Sequence, residues 1–191
     1  AFTDTLPVGS RVAIDPSHPC RACAHCREGN ENHCSHMRYF GSAASSPPQD
    51  GSFREYVQVN AENCHLIPDS MNYRQAAMLE PLSIAVHGIG QAGSIAGKRV
   101  LVTGAGPIGQ LIGLVARHYG AANLAVSDIR QDALDLAASL WADQPLRADQ
   151  PDTVAEAAGE GFDIVIEASG APSALQTAYQ HCKAKGTIVQ L

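Results

Sequence analysis

Four cysteines lie close together with the spacing C-x2-C-x2-C-x7-C, at Cys20, Cys23, Cys26 and Cys34. Steps of two residues let a turn direct successive thiolates toward one point, and four thiolates fill the tetrahedral coordination of Zn²⁺. A site closed in this way has no position for water or substrate, so we expect a structural zinc ion. The segment 17–38 is polar and has little apolar surface to bury, so its folding energy is expected to come from the metal.

Other arrangements of these cysteines remain open from the sequence. The chain has six cysteines, enough for three disulfides, but we find no secretory leader at its start and expect a reduced chain in the cytoplasm. An iron–sulfur cluster is a second alternative, although its usual spacing ends in a step of three residues and not seven. A third alternative replaces one cysteine ligand by a neighbouring histidine: His18, His25, His33 or His36.

A glycine-rich motif of the form G-x-G-x-x-G occurs at Gly104, Gly106 and Gly109. It follows the apolar stretch VLVT and precedes a pattern typical of a helix, which is the context in which this motif binds dinucleotides. The first glycine permits a tight turn, the second lets the backbone approach a pyrophosphate, and the third lets helix and strand pack closely. Pro107 suits the first turn of the helix, whose free N–H groups and dipole attract phosphate.

An acidic residue, Asp128, stands at the end of the next predicted strand, 19 residues after Gly109. A carboxylate in this position accepts hydrogen bonds from the adenosine ribose hydroxyls and repels a 2′-phosphate, which favours NAD over NADP. The alternative that the glycines only shape a turn does not account for this acid. Arg130 follows two residues later, and its guanidinium can offset part of the repulsion, so NADP stays open.

The pattern of apolar residues predicts two regions with different secondary structure. Alternation predicts strands at 10–16 and 52–60, and an Ala- and Leu-rich segment at 72–93 predicts helix, with Pro81 at a helix start or kink. From Lys98 onward apolar strands alternate with helices, which indicates an α/β fold with a doubly wound parallel sheet. The predicted elements are strand 99–106, helix 107–120, strand 123–128, helix 130–142, a poorly marked strand within 142–160, strand 162–170, helix 172–186 ending at Gly186, and strand 187–191.

The bulk composition is that of an ordinary globular protein. Of the 191 residues, 45% are hydrophobic and 17% are charged, which excludes a disordered chain. The net charge of −6 argues against a partner held through phosphates, so we expect no nucleic acid. No apolar run reaches the roughly 18 residues of a membrane-spanning helix, so we expect no membrane partner.

A four-cysteine segment upstream of the turn VTGAGPIG resembles the zinc-dependent medium-chain alcohol dehydrogenases. Within that family the stretch LEPLSIAVHG is similar to the polyol dehydrogenases, and MRYFGSA and PQDGSFREY are similar to the L-idonate 5-dehydrogenases among them. The resemblance runs through all 191 residues. It implies oxidation of a secondary alcohol in a sugar acid or polyol, with zinc and NAD, or NADP, as cofactors. Sorbitol-, xylitol- and threonine-type dehydrogenases are the alternatives within the family.

The resemblance also assigns roles to individual residues. It makes the four clustered cysteines the structural zinc ligands, and Glu80 the carboxylate that reaches a catalytic zinc, directly or through its water. It places Ile108 at the nicotinamide side and Ser169 and Gly170 along the cofactor cleft. The glycine-rich turn would hold the pyrophosphate, and Asp128 the adenosine ribose.

Two domains and an oligomer follow from the same resemblance. Residues 1–80 would be the C-terminal part of a GroES-like, β-rich catalytic domain, with the zinc lobe at 17–38. Residues 81–191 would be a Rossmann NAD-binding domain, truncated at its C-terminus. Members of the family assemble as homodimers or homotetramers, so we expect one of these.

The sequence departs from the family's pattern in two ways. A basic residue five positions after the ribose acid is replaced here by Ala133. The cysteine and the Gly-His-Glu segment that also serve the family's catalytic zinc do not occur. We therefore expect a piece of a larger protein that is inactive by itself, and the alternative from another class is a non-catalytic, zinc-stabilised NAD-binding module.

Overall fold

The computed structural model describes residues 6–44 and 47–191. The chain divides into two compact units, the first extending to Ala77 and the second running from Met78 to Leu191. This division lies three residues before the boundary at 80/81 that the sequence predicts. Residues 1–5, which the predicted first domain includes, lie outside the described residues.

Short antiparallel strands bring the two ends of the cysteine segment together. β1 (Val12–Ile14) pairs with β4 (Cys64–Leu66), and β2 (Ser17–His18) pairs with β3 (Arg38–Tyr39). The cysteines lie between β2 and β3 in the sequence, so the pairing of these strands closes the segment into a loop. The helical elements of this unit are α1 (Ala24–Arg27), α2 (Tyr73–Ala77) and 3₁₀ turns at Glu31–His33 and Ala61–Asn63.

The buried side chain of Asn63 fixes the entry of the chain into this loop. Its amide nitrogen donates to the carbonyl oxygens of Asp15 at 2.9 Å and Ser17 at 2.7 Å. The backbone carbonyl oxygen of Asn63 accepts from the Asp15 N–H at 2.8 Å, and the Asp15 carboxylate accepts from the Ser17 N–H at 2.8 Å. The backbone from β1 to β2 is therefore held in one conformation, and the cysteine segment starts at a defined place.

The prediction of a strand at 52–60 is wrong. The described backbone there has no strand pairing, the side chains of Phe53 and Tyr56 are exposed, and β1 pairs instead with β4. Alternating apolar and polar residues form a strand only where a neighbouring strand supplies hydrogen bonds. Within 6–44 and 47–191 no segment does so for these residues.

A five-stranded parallel sheet forms the centre of the second unit. Its strand order is β7-β6-β5-β8-β9, so the chain winds outward from β5 first to one edge and then to the other, as in doubly wound folds. Val100 and Val102 of β5 belong to one buried apolar cluster, and Leu101 belongs to another on the opposite face. The predicted α/β class is confirmed. The strands are β5 (Arg99–Thr103), β6 (Asn123–Asp128), β7 (Gln144–Arg147), β8 (Phe162–Glu167) and β9 (Cys182–Gln190).

Helices cover both faces of this sheet. Buried small and apolar side chains on their inner faces, such as Ile112 and Ala116, pack against it. None of the helices in the described parts of the chain is long and apolar enough to cross a membrane. The helices are α3 (Leu79–Gln91), α4 (Pro107–His118), α5 (Gln131–Leu140), α6 (Pro151–Ala158) and α7 (Pro172–His181).

The end of the last helix differs from its prediction. α7 ends at His181 and β9 begins at Cys182, so Gly186 lies within a strand and does not end the helix. A β-carbon at Gly186 would lie 2.5 Å from the Cys182 sulfur, and Lys185 has a φ of +62°. The glycine therefore serves an irregular start of β9, where the pairing with β8 shifts register.

Arg99, the first residue of β5, closes the C-terminal end of α6. Its guanidinium donates to the carbonyl oxygens of Ala157 at 2.7 Å, Ala158 at 3.0 Å and Gly161 at 3.0 Å. The guanidinium carbon also lies 5.1 Å from the ring centroid of Phe162. Because the last carbonyl groups of a helix have no partner within it, Arg99 supplies donors that α6 lacks.

Replacing Arg99 by methionine should lower the free energy of unfolding by about 2 kcal/mol, because three carbonyl oxygens lose a charged donor while an apolar stem is kept over Phe162. Urea unfolding followed by circular dichroism measures the change. The matched control is Arg147→Met, since Arg147 pairs with the half-exposed carboxylate of Asp149, and a loss below about 1 kcal/mol is expected there. Equal losses in the two variants would contradict the capping role.

Candidate functional site

The four clustered cysteine sulfurs converge on one point. The Sγ atoms of Cys20, Cys23, Cys26 and Cys34 all lie within 4.8 Å of one another. Sulfurs placed tetrahedrally about 2.3 Å from a zinc ion are close to 4 Å apart, so this group is of the right size for zinc. All six cysteines of the chain are free thiols, and the disulfide alternative finds no support.

Backbone N–H groups are directed at these sulfurs. The Cys20 sulfur accepts from the N–H groups of Ala22 at 3.5 Å and Cys23 at 3.4 Å. The Cys34 sulfur accepts from the N–H groups of Cys20 at 3.2 Å and His36 at 3.4 Å. Hydrogen bonds of this kind favour the thiolate over the thiol, and the thiolate is the form that binds metals.

The pKa values of the thiols reflect this arrangement. Hydrogen bonds from the N–H groups of Cys26 and Ser35 lower the pKa of Cys23 to about 6. The pKa of Cys34 is lowered in the same way, chiefly by the N–H of Cys20. The pKa of Cys26 is raised to about 12, because burial and the neighbouring sulfurs disfavour a further negative charge. A divalent cation removes that repulsion, so metal binding here is coupled to proton release.

The neighbouring histidines lie outside the group of sulfurs. His25 and His33 are exposed with ring centroids 6.3 Å apart, and His18 packs edge-on against the ring of Phe40. The one group of three or more potential metal ligands among the described residues consists of the four cysteines. The geometry therefore favours a set of four sulfurs over one that includes a histidine.

The chain should bind one equivalent of Zn²⁺, and Cys26→Ser should weaken that binding by more than about 100-fold, because one of four thiolates is lost. Competition with a chromophoric chelator measures the affinity, and limited proteolysis of segment 17–38 reports its folding. Cys64→Ser is the control, since Cys64 lies in β4 outside the cluster. Undiminished zinc affinity in Cys26→Ser, or an equal loss in Cys64→Ser, would refute the assignment.

In the second unit, close backbone approaches shape the glycine-rich turn. Gly104 has a φ of +98°, and a β-carbon there would lie 2.9 Å from the backbone nitrogen of Ser169. A β-carbon at Gly109 would lie 1.9 Å from the Gly104 carbonyl oxygen. At Gly106 no atom lies within 4 Å of the position that a β-carbon would take. The first and third glycines are therefore required by packing, whereas the second borders open space.

Helix α4 begins directly after this turn. Gly106 is its N-cap residue, Pro107 occupies the first turn, and no side chain caps the helix. The N–H groups of Ile108 and Gly109 have no acceptor within the helix, as holds for the first turn of any α-helix. A helix start of this kind binds phosphate groups through these N–H groups and the helix dipole.

Asp128 ends β6 and contacts the glycine-rich turn directly. One of its carboxylate oxygens accepts from the N–H of Ala105 at 2.7 Å, and the other accepts from the N–H of Arg130 at 2.8 Å. A carboxylate oxygen can accept more than one hydrogen bond, so acceptor capacity remains for ligand hydroxyls. Asp128 thus holds the turn and at the same time lines the adjacent cavity.

The cavity lies at the carboxyl ends of β5, β6 and β8 and has a volume of about 430 Å³. This edge of a parallel sheet is where doubly wound folds bind ligands, and the volume is in the range of small-molecule sites. The predicted cofactor-binding residues that line the cavity are Gly104, Gly106, Asp128, Arg130 and Ser169. The predicted residues that do not line it are Pro107, Ile108, Gly109 and Gly170.

Sequence reasoning missed Glu167, the last residue of β8. Its side chain is buried, and its Oε1 accepts from the Ser169 N–H at 2.7 Å, the Ser169 hydroxyl at 2.6 Å and the Gly170 N–H at 3.0 Å. The turn after β8 is thereby fixed at the edge of the cavity. A carboxylate directly after the apolar run at 164–166 was the signal available in the sequence.

Gln110, in α4, is a second residue that sequence reasoning missed. Its buried side-chain nitrogen donates to the carbonyl oxygens of Ala105 at 3.1 Å and Ala133 at 2.8 Å, and its oxygen accepts from the indole N–H of Trp141 at 2.8 Å. The indole fits only because residue 113 is glycine, where a β-carbon would lie 2.1 Å from the ring. The amide therefore joins the glycine-rich turn to both ends of α5.

Glu80 lies in the first turn of α3 and is exposed. Its backbone carbonyl accepts from the Ser83 hydroxyl at 2.6 Å, and a carboxylate at a helix start is favoured by the dipole. It is not part of the group of potential metal ligands found in the described residues. The role of Glu80 toward a catalytic zinc stays a prediction.

Two family models match the chain. Residues 3–69 match the alcohol dehydrogenase GroES-like domain, and residues 107–191 match the zinc-binding dehydrogenase domain. Both matched segments are domains of the zinc-binding medium-chain dehydrogenases. The resemblance seen in the cysteine spacing and the glycine-rich turn is thus confirmed.

Individual relatives cover nearly the whole of this chain. The L-idonate 5-dehydrogenase (NAD(P)(+)) of Escherichia coli is 39% identical over 187 residues, which are 97% of this chain and 54% of that protein. The D-xylulose reductase A of Aspergillus oryzae is 37% identical over 194 aligned positions, covering 97% of this chain and 53% of the relative. The chain therefore spans about half the length of these dehydrogenases.

Solved structures of the family superpose closely. The crystal structure of the E. coli L-idonate 5-dehydrogenase matches with a TM-score of 0.93 and 39% identity, covering 98% of this chain and 55% of that one. A zinc-binding dehydrogenase of Sinorhizobium meliloti, bound to NADP, matches with a TM-score of 0.90 and 31% identity, covering 97% and 54%. These two structures belong to the zinc-binding, dinucleotide-dependent dehydrogenase family that the sequence predicts.

Gly106→Ala should weaken NAD⁺ binding by about tenfold or more while the free energy of unfolding changes by less than about 1 kcal/mol, because the methyl group enters open space beside the turn. Gly109→Ala should instead lower the free energy of unfolding by about 3 kcal/mol, because its methyl group overlaps the Gly104 carbonyl. Calorimetric titration and urea unfolding separate the two effects. Unchanged NAD⁺ affinity in a folded Gly106→Ala chain would count against a dinucleotide at this turn.

Proposed function

We propose that this chain serves a zinc- and NAD(P)-dependent dehydrogenase that oxidises a secondary alcohol of a sugar acid or polyol to the ketone, with L-idonate, which gives 5-keto-D-gluconate, as its substrate. The observation that carries the proposal is the cavity where the glycine-rich turn, the uncapped start of α4 and Asp128 meet. The substrate class is supported by the relatives, which act on idonate and xylulose according to their names.

The second unit has polar groups that suit the successive parts of a dinucleotide. The N–H groups at the start of α4 donate to the pyrophosphate, with Gly104, Gly106, Pro107, Ile108 and Gly109 forming the turn around it. The Asp128 carboxylate accepts from the adenosine ribose hydroxyls, beside Arg130. Ser169 lines the cavity on the side of β8, and Glu167 holds both Ser169 and Gly170.

Zinc has two proposed roles. In the first unit, we assign a structural ion to Cys20, Cys23, Cys26 and Cys34, whose close approach and free thiol groups fit it. A catalytic zinc, when bound, lowers the pKa of the substrate hydroxyl so that hydride can pass to the nicotinamide. Glu80 is the residue of this chain that we assign to it, directly or through a water molecule.

The organisation of the whole protein is part of the proposal. Residues 1–80 belong to a GroES-like catalytic domain and residues 81–191 to the NAD-binding domain. We propose that the protein acts in the cytoplasm as a homodimer or homotetramer, without nucleic acid or membrane as partner. A xylitol-type dehydrogenase is the second candidate, favoured by the D-xylulose reductase at 37% identity.

A panel of alcohols tests the activity. We expect the 191-residue chain to bind NAD⁺ without oxidising alcohols, and a longer polypeptide that contains it, extended to the length of the relatives, to reduce NAD⁺ with L-idonate. Absorbance of the reduced nicotinamide gives kcat/KM for L-idonate, sorbitol, xylitol, galactitol and threonine. Oxidation of xylitol with the highest kcat/KM would select the second candidate, and NAD⁺ binding without any oxidation would indicate a binding module.

Glu80→Gln in the longer polypeptide should lower kcat/KM by roughly 10- to 100-fold while NAD⁺ binding is unchanged, because the carboxylate is proposed to act on the metal and not on the dinucleotide. The control is Glu156→Gln, an exposed glutamate of α6, which should have wild-type kcat/KM. Equal kcat/KM in both variants would exclude the role of Glu80.

A further inference from the structure

An arginine that lines the cavity of the second unit is already paired with a carboxylate. Arg130 lines the cavity, and its Nε donates to one carboxylate oxygen of Asp132 at 3.1 Å while a terminal nitrogen donates to the other. Two guanidinium nitrogens of Arg130 and both carboxylate oxygens of Asp132 take part in this contact. Arginine forms the same two-point geometry with phosphate. Asp132 itself is not among the described residues that line the cavity.

Arg130 lies beside Asp128, where the ribose of a bound dinucleotide is expected. The Asp128 carboxylate accepts a hydrogen bond from the backbone N–H of Arg130, so it lies close to the backbone from which the Arg130 side chain extends. A ribose 2′-hydroxyl can donate to the Asp128 carboxylate, whereas a 2′-phosphate brings nearly two negative charges next to it. Arg130 is the permanently charged cation among the described residues that line the cavity.

We propose that Asp132 determines dinucleotide specificity: by holding the guanidinium of Arg130, it withholds that group from a 2′-phosphate and favours NAD⁺ over NADP⁺. The inference rests on the proposed function. Asp132 acts through Arg130 and does not touch the dinucleotide.

The electrostatics of the pair support this division of roles. The hydrogen-bonded carboxylate of Asp132 raises the pKa of Arg130, and Arg130 in turn lowers the pKa of Asp132, so both groups stay ionised at neutral pH. A second arginine, Arg147, stands opposite Asp128 in the β6–β7 register and is likewise paired with an acid two residues later, Asp149. Arg130 and Arg147 therefore each have a carboxylate partner of their own, and their interaction with Asp128 is the weaker one.

The family fold accommodates both dinucleotides. The relative from E. coli is named for NAD(P)(+), and the Sinorhizobium meliloti structure holds NADP. Discrimination must therefore come from side chains around the 2′ position, and in this chain the contact between Arg130 and Asp132 is the local feature that differs from an arginine free to bind phosphate.

The test compares dissociation constants of the 191-residue chain and its variants for NAD⁺ and NADP⁺, measured by calorimetric titration at neutral pH and low salt. Asp132→Asn should strengthen NADP⁺ binding by about three- to fivefold, the worth of an exposed ion pair, and leave NAD⁺ binding within about twofold, because a charged donor is released toward the 2′-phosphate. The gain should be repeated with 2′-AMP and absent with 5′-AMP. In Arg130→Gln/Asp132→Asn the gain should vanish, because the group that Asp132 restrains is gone.

Asp135→Asn is the matched control, since it removes the same charge from the same helix at a carboxylate whose partner is Gln131 and not an arginine. Equal NADP⁺ gains in Asp135→Asn and Asp132→Asn, or a gain that survives in the double variant, would overturn the inference in favour of a general charge effect. Unchanged NADP⁺ affinity in Asp132→Asn would also overturn it, with circular dichroism and NAD⁺ binding verifying the fold. Binding of neither dinucleotide by the unaltered chain would overturn the proposed function as well.

Discussion

The approach of Gly109 to the carbonyl oxygen of Gly104 is the contact on which the dinucleotide half of the molecule depends. With no β-carbon at residue 109, α4 can begin directly behind the end of β5. The peptide at Ala105 is then fixed from both sides, because its N–H donates to Asp128 and its carbonyl accepts from Gln110. Since these groups are used in holding the turn, the polar groups that the turn itself leaves for a ligand are the N–H groups at the start of α4, beside the remaining lone pairs of Asp128.

The first unit is held together by a different kind of interaction. In the described part of that unit, the buried apolar side chains are Cys34, Ile67 and Ala76, whereas the second unit has a buried layer on each side of its sheet. Apolar burial therefore contributes little to the cysteine segment, and four sulfurs gathered within 4.8 Å repel one another once they ionise. A divalent cation converts that repulsion into attraction, which explains how so polar a segment can have a defined fold.

Local patterns in the sequence predict some of these features and not others. Gly104, Gly106, Gly109 and Asp128 were identifiable because strand, turn and helix follow one another along the chain, and the cysteines because their spacing is short. The strand at 52–60 was wrongly predicted, since alternation describes one strand but not its partner. The roles of Glu167, Gln110 and Asp132 depend on contacts that form only when the chain folds, including the side-chain conformation of a neighbouring residue. The periodicity of apolar residues does not predict such contacts.

The hydrogen bond between Trp141 and Gln110 has an optical consequence. Trp141 is the sole tryptophan of the chain, it is buried, and its indole N–H is linked through one amide to the carbonyl of Ala105. The tryptophan emission of the protein therefore originates one side chain away from the phosphate-binding turn, in the second unit. The wavelength of that emission reports the hydration and polarity of this single spot, so the molecule carries its own fluorophore for the region where a dinucleotide would lie.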